Sequence, residues 1–277
     1  MAGGIVVGAM KSPALRKLRA KLADDQPTYG MWVTLESPSI TEIAVALGLD
    51  WVVVDAEHGH LDWHDIVGHV RAAVRSDTVV IVRLAELNGG LIKRALDIGA
   101  DGVVIPWIES AEQLEQAVAW CRYPPTGRRG IGGERATGWG GCLAESVAEA
   151  DEHVIVMPLI ESVEGGRNIE AICQVEGADL FYIGPADFSA TAGYPGEWQG
   201  GDVADQILMV NETVRRHNKH CGVICRNHEE LVLRAEQGFR LLGLGLDSGL
   251  LIRSLRESLA HVGISRSFGP TLTPRDD

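Results

Sequence analysis

Residues 51–60 read WVVVDAEHGH, four apolar side chains running directly into an aspartate, a glutamate and two histidines. A run that is apolar on both alternating faces marks a strand covered from both sides, as in a parallel sheet under helices. The polar cluster at its end marks the place where such a strand opens into a pocket mouth. The same pattern recurs along the chain. PTYGMWVTL (27–35), TVVIVRL (78–84) and GVVIPWI (102–108) read as strands before a longer interval. HVIVMPLIE (153–161), DLFYIGPAD (179–187), CGVICRN (221–227) and LLGLGLD (241–247) read as strands after it.

Stretches of helical period lie between these strands, among them SITEIAVALG, GGLIKRALDIG, AEQLEQAVAWC and HEELVLRAEQGF, and GLLIRSLRESLAHV follows the last. Eight strand–helix units in about 250 residues predict a closed (β/α)8 TIM barrel rather than an open doubly wound sheet. No Gly-rich dinucleotide turn follows the first strand, which agrees. We expect one domain over 1–277, with a barrel core at about 27–262, a flexible leader over 1–14 and a flexible tail over 266–277. The interval 122–152 is too long for a simple connection and is expected to be functional or interfacial.

The formal charge of −13 offers no basic surface to a phosphate backbone, so no nucleic-acid partner is expected. A small anionic substrate needs only one local arginine. No apolar run approaches the roughly 18–20 residues that a membrane helix needs, so no membrane partner is expected either. In MAGGIVVGAMKSPALRKLRAKL the basic residues follow the apolar stretch, the reverse of a signal peptide. A cytoplasmic protein is the expectation. The five cysteines form no CxxC pair and read as structural thiols of a reducing compartment.

Active sites of such barrels sit at the C-terminal ends of the strands. Reading those ends in order gives Asp55, Glu57 and His58, then Arg83, Pro106 and Trp107, Glu161, Asp187, Arg226 and Asn227, and Asp247. Glu161 and Asp187 end adjacent strands, and two carboxylates without sulfur or imidazole favour a hard cation such as Mg²⁺ or Mn²⁺. The alternative is that both acids cap the helices that follow. Arg83 equally well pairs with one of the acids. HGH at 58–60 resembles a zinc pair, but the later strand ends supply no further histidines; His58 as an acid/base oriented by Asp55 is the more economical reading. No lysine falls at a strand end, so a Schiff base is not expected. Carbanion chemistry here would need a metal.

With strand ends DAEH, R, IES and GPAD in that order, the chain resembles the HpcH/HpaI family of metal-dependent pyruvate aldolases, relatives of macrophomate synthase and of 2-keto-3-deoxy sugar-acid aldolases. DAEH (55–58), GADGVVIPWIESAEQ (99–113), RYPPTGRRG (122–130), IESVEGGRNIEAI (160–172) and GADLFYIGPADFSATAGYPG (177–196) carry the resemblance, which covers roughly 27–260. It implies a phosphoenolpyruvate/pyruvate-type barrel whose C-terminal helix is exchanged between subunits of a homo-oligomer, a hexamer. It implies that Glu161 and Asp187 hold a divalent metal, Mg²⁺ or Mn²⁺ with Co²⁺ as a further candidate. Pyruvate would chelate that metal, with the backbone at Gly184, Pro185 and Ala186 meeting its carboxylate and Arg83 its keto or enolate oxygen. His58, paired with Asp55, would move protons, and Glu57 would support metal-bound water.

The chain departs from the family at Leu159, where relatives often carry a glutamine facing the site. Trp32 in the first strand, with Trp63, Trp107 and Trp198 after later ones, leaves either a bulky acceptor or ordinary packing open. The expected activity joins pyruvate enolate reversibly to an aldehyde, giving a 4-hydroxy-2-oxo acid, with oxaloacetate decarboxylation as a side reaction. Another carbon–carbon lyase of the scaffold, such as an acyl-CoA lyase or oxaloacetate decarboxylase, and a non-catalytic metal-binding barrel are the alternatives.

Overall fold

A computed structural model describes residues 12–269 and 271–276. The chain runs α1 (Ser12–Ala23), β1 (Thr28–Val33), α2 (Ser39–Ala46), β2 (Trp51–Asp55), α3 (Trp63–Ala72), β3 (Val79–Arg83), α4 (Gly89–Asp97) and β4 (Gly102–Ile105). Next come α5 (Ala111–Cys121), α6 (Leu143–His153), β5 (Ile155–Ile160), α7 (Val163–Arg167), α8 (Ile169–Ile172), β6 (Leu180–Ile183) and α9 (Pro185–Thr191). It ends with α10 (Val203–Arg216), β7 (His220–Ile224), α11 (His228–Glu236), β8 (Leu241–Leu246), α12 (Asp247–His261), β9 (Arg266–Phe268) and β10 (Pro274–Asp276). Strands β1 to β8 are parallel neighbours in sequence order, and β8 closes on β1. This is the expected (β/α)8 barrel.

The strand period of two sorts its side chains into two cores. Trp51, Val53, Val79, Ile81, Met157, Leu159 and Tyr182 fill the barrel interior. Their neighbours Val52, Val54, Val80, Val82, Val156 and Phe181 face the surrounding helices. Aromatic bulk fits inside because glycines oppose it: a Cβ on Gly30 would lie 2.1 Å from Trp51, and one on Gly243 would lie 2.4 Å from the Tyr182 hydroxyl. Continuing the inward period by one step from Val53, Ile81 and Leu159 gives Asp55, Arg83 and Glu161. The top layer of the barrel is therefore charged because the strands end there, with no distortion required.

Three expectations change. The leader was expected to be loose to residue 14; its first eleven residues lie outside the described residues, and from Ser12 the chain is helical. Ala14, Leu15, Leu18 and Leu22 join the interior cluster and plug the bottom of the barrel, each buried leucine contributing about 1.5–3 kcal/mol. Lys21 fixes the plug through Asp50 at 2.5 Å. In the tail, expected to be flexible, β9 and β10 pair as an antiparallel hairpin. The third change is at strand 6, which stops at Ile183 and leaves Asp187 in the first turn of α9.

The interval 122–152 holds a short 3-10 turn at Arg135–Thr137 and helix α6. Its arginines brace the bottom of the barrel: Arg129 pairs with Asp97 at 2.8 Å, Arg135 donates to the Ile98 carbonyl, and Arg122 to those of Val154 and Gly177. Among the described residues no helix is long and apolar enough to cross a membrane.

Candidate active site

At the C-terminal mouth of the barrel lies a cavity of about 630 Å³, lined by Trp32, Asp55, His58, Arg83, Leu159, Glu161, the Gly184–Asp187 turn, Trp198, Arg226 and Arg253, among others. Most of the residues picked out from the strand ends meet there. Asp55 and Arg83 are register partners across β2 and β3. Arg83 Nε donates to Asp55 Oδ1 at 2.9 Å and Nη2 donates to Oδ2, a bidentate clamp in which both side chains are buried. Arg83 Nη1 stands 3.1 Å from Glu57 Oε2, without hydrogen-bond alignment, and the guanidinium lies over the Trp32 ring at 4.9 Å. A guanidinium has five N–H donors; the Asp55 clamp uses two, which leaves one on Nη2 and two on Nη1 without a hydrogen bond among the described residues.

Glu161 is buried to 2% exposure, and its carboxylate receives the Trp107 backbone N–H at 2.9 Å. Trp107 holds a left-handed φ of 52°, unusual for a bulky residue, which aims that N–H. The side chain lies over the end of β6 because residue 184 is glycine: a Cβ there would stand 2.7 Å from Glu161 Oε2. Burial, opposed by the Trp107 hydrogen bond and by Arg83 and reinforced by Glu57 and Asp187, pushes the Glu161 carboxyl up to about 8. Burial also raises Glu57, against the pull of Arg83 and His58. Neither metal candidate is a helix cap. Ser162 caps α7 through the Gly165 N–H, and α9 has no side-chain cap bond.

The structure corrects the pairing of His58 with Asp55. Asp55 Oδ1 accepts the backbone N–H groups of Glu57 and His58, at 3.0 and 3.1 Å, while the rest of its carboxylate serves Arg83. Asp55 thus fixes the chain carrying His58, and the exposed imidazole has no hydrogen bond among the described residues. His60 turns away to Glu36. Asp247 is also absent from the cavity: its carboxylate accepts from Thr34 and Leu35 and ties β1 to β8.

Of the tryptophans, Trp32 and Trp198 line the cavity, whereas Trp63 stacks on Arg94. Cys225 lines it too, but burial pushes its thiol up to about 11, so it stays protonated. All five cysteines are unpaired. The basic stretch 128–135 lies on the opposite face, where Arg129 pairs with Asp97 and Arg135 donates to the Ile98 carbonyl. Sequence reasoning left Trp198 open between acceptor contact and packing, and gave Arg226 and Arg253 no role in the site. Arg226 was visible as a strand end; Arg253 reads as one more polar position on a helix.

Among the described residues no group of three or more His, Cys, Asp or Glu side chains is arranged to hold a metal. Glu161 and Asp187 make a two-carboxylate set, the number Mg²⁺ commonly takes while substrate and water fill its other positions. Asp55 and Glu57 contact the Arg83 guanidinium while Glu161 and Asp187 line the same cavity, a surplus of carboxylates that suits a divalent cation.

The sequence model of the HpcH/HpaI aldolase/citrate lyase family matches residues 28–254. The chain is similar to a hydroxypyruvate/pyruvate aldolase of Pseudomonas aeruginosa, 34% identical over 245 residues, 88% of this chain and 91% of the relative. It is similar to a 4-hydroxy-2-oxovalerate aldolase of Novosphingobium aromaticivorans, 35% identical over 266 residues, 92% of this chain and 99% of the relative. An HpcH/HpaI aldolase/citrate lyase family structure from Burkholderia cenocepacia superposes with a TM-score of 0.85 at 31% identity, covering 89% of this chain and 99% of that one. A match of this extent, over a barrel whose strand ends converge on one mouth, means that the chain belongs to the HpcH/HpaI aldolase/citrate lyase family and is an aldolase, a carbon–carbon lyase.

Proposed function

We infer that this aldolase adds the enolate of pyruvate reversibly to an aldehyde, giving a 4-hydroxy-2-oxo acid, with a divalent metal at Glu161 and Asp187. The observation that carries the reading is the meeting of Glu161, Asp187, the Asp55–Arg83 clamp and an unpaired His58 imidazole on one cavity. Mg²⁺ or Mn²⁺, with Co²⁺ as a substitute, supplies Lewis acidity toward the keto oxygen. The chain does the rest. Arg83 turns its remaining N–H donors toward the oxygen on which enolate charge develops, and Asp55 keeps them aimed. The His58 imidazole takes the C3 proton and exchanges a proton with the aldehyde oxygen. The Gly184–Ala186 turn meets the pyruvate carboxylate, Trp32 and Leu159 form the apolar floor, and Glu57 would order water beside the metal. Oxaloacetate decarboxylation follows as a side reaction because it reaches the same enolate.

A homo-oligomer, a hexamer with α12 exchanged between subunits, completes the proposal. Leu251, Leu255 and Leu259 form an exposed apolar stripe on α12, in keeping with a neighbour. The unpaired, mostly buried thiols suit a cytoplasmic protein.

The deciding experiment follows exchange of the pyruvate C3 protons with deuterium, with added Mg²⁺ or Mn²⁺ and after chelation. Exchange that needs the metal and survives borohydride with pyruvate is the expected result. A trapped lysine adduct, or no exchange under any metal, rules the mechanism out.

A further inference from the structure

Arg83 is held from two directions. In the plane of the guanidinium, Asp55 fixes it through Nε and Nη2. Such a pair leaves one motion open, a tilt about the line of its two bonds. The face that would tilt is covered by Trp32, whose ring centroid lies 4.9 Å from the guanidinium carbon. Trp32 is fixed in turn from inside the barrel. Its Nε1–H donates to the Tyr182 hydroxyl at 3.2 Å, and both side chains are buried. An indole has a donor and no acceptor, so the direction of this bond is settled. The two rings meet edge to face with centroids 5.3 Å apart, and Tyr182 meets Trp51 edge to face at 6.0 Å.

Tyr182 has little room to move. A Cβ on Gly243 would stand 2.4 Å from its hydroxyl, and one on Gly222 would stand 2.5 Å from its ring. Burial pushes the phenol well above its ordinary pKa, against the Trp32 and Gly243 contacts, so it stays protonated and does not serve as a base. Trp32 is on β1 and Tyr182 on β6, three places apart in the closed order, so their bond spans the interior instead of following neighbouring strands. Tyr182, Trp32, Arg83 and Asp55 thus form one run of contacts drawn from four strands.

We propose that Tyr182 is a positioning residue: its hydroxyl orients Trp32, and through the Trp32 ring it orients the Arg83 guanidinium. The inference rests on the enolate reading above, in which Arg83 stabilises the developing oxyanion. Stabilisation of that kind depends on where the donors point, and an error of about an ångström can cost about 10²-fold. Donation of the indole N–H to an oxygen also enriches the ring face in electron density, which strengthens its attraction for the guanidinium. The rival role is direct contact with substrate, since Tyr182 also lines the cavity. Kinetics separate the two.

The test uses the full-length enzyme with Mn²⁺ and Tyr182→Phe, which keeps the ring and removes only the oxygen. kcat for pyruvate C3 proton exchange and for oxaloacetate decarboxylation should fall by the same factor, about tenfold, since Arg83 serves both. KM for pyruvate and calorimetric Mn²⁺ affinity should stay within about twofold of the parent, because neither is set by the aim of Arg83 in the transition state. Trp32→Phe removes the N–H that the hydroxyl receives and should also lower kcat about tenfold. Adding Tyr182→Phe to it should then cost nothing further, the mark of a residue that acts through its partner. Unchanged kcat in Tyr182→Phe, a loss carried by KM, or losses that multiply in the double variant overturns the proposal. So does a loss of exchange with decarboxylation spared, which would tie Tyr182 to the proton transfer. Should Tyr182→Phe fail to fold because the Trp32 N–H is left buried and unpaired, the double variant carries no such orphan. A double variant equal to Trp32→Phe supports the proposal, and a slower one overturns it. Exchange by the unmodified enzyme separates the failures. Its absence with Mn²⁺ and with Mg²⁺ brings down the enolate reading and this inference together, whereas normal exchange in both parent and Tyr182→Phe brings down this inference alone.

Discussion

Arg83 clamps both carboxylate oxygens of Asp55, its register partner on the neighbouring strand, in the top layer of the barrel interior. Both are buried, so the pair stands or falls together. Asp55→Asn leaves Arg83 facing only Glu57 and weakens the anchor under residues 57 and 58. We expect a loss of about 3–5 kcal/mol in urea denaturation, the usual cost of removing one partner from a buried pair. A loss below about 1 kcal/mol would show that water screens the site far more than its burial implies.

Arg83 and His58 should separate by reaction. Oxaloacetate decarboxylation reaches the enolate by losing CO₂ and needs no C3 deprotonation. His58→Ala should lower pyruvate exchange and aldol cleavage roughly 10²–10⁴-fold and spare much of the decarboxylation. Arg83→Ala should damage all three, since the oxyanion is common to them. The rates are to be compared after metal content is checked. Equal losses in His58→Ala would mean that the histidine holds the site together and does not move protons.

Glu161→Ala and Asp187→Ala should each weaken Mn²⁺ binding at least about tenfold, read by calorimetric titration. The metal-free Glu161→Ala protein should melt no lower than the parent, because the variant removes a carboxylate whose charged form burial disfavours. Unchanged Mn²⁺ affinity in either variant would move the metal elsewhere.

His69 gives a pH-dependent stability. Its Nε2 donates to the Leu35 carbonyl and its Nδ1 accepts from Thr41, an arrangement only the neutral ring can make. Burial lowers its pKa, partly opposed by the Leu35 contact. The unfolded chain therefore takes the proton first as pH falls below about 6.5, and the native state loses stability from there downward. Above that pH the residue contributes no slope. His69→Gln should flatten the fall between about pH 6.5 and 5 and leave the curve above pH 7 parallel to the parent. Parallel curves throughout would mean that the ring charges without cost.

The α1 plug makes Leu18 a core residue despite its place near the start of the chain. Leu18→Ala should cost about 2–5 kcal/mol, as at other buried leucines. A neutral outcome in denaturant unfolding would return α1 to the status of a loose leader.

The sequence by itself determined the barrel, because eight doubly apolar runs alternating with helical periods leave few other ways to cover every strand on both faces. It also placed Asp55, Arg83 and Glu161 at strand ends, and the inward period of two carries all three into the same layer. Tertiary structure decided the pairing within that layer. Asp55 reaches Arg83 and not the His58 imidazole, because parallel register sets Asp55 opposite Arg83, whereas the turn after β2 spends the Asp55 carboxylate on backbone N–H groups. Only the closed barrel puts Arg226, Arg253 and Trp198, distant in sequence, on one wall. Likewise α1 reads as a leader until the open bottom of a barrel exists for its leucines to fill. Periodicity reports which way a side chain faces; its partner depends on closure, which joins residues that no local pattern connects.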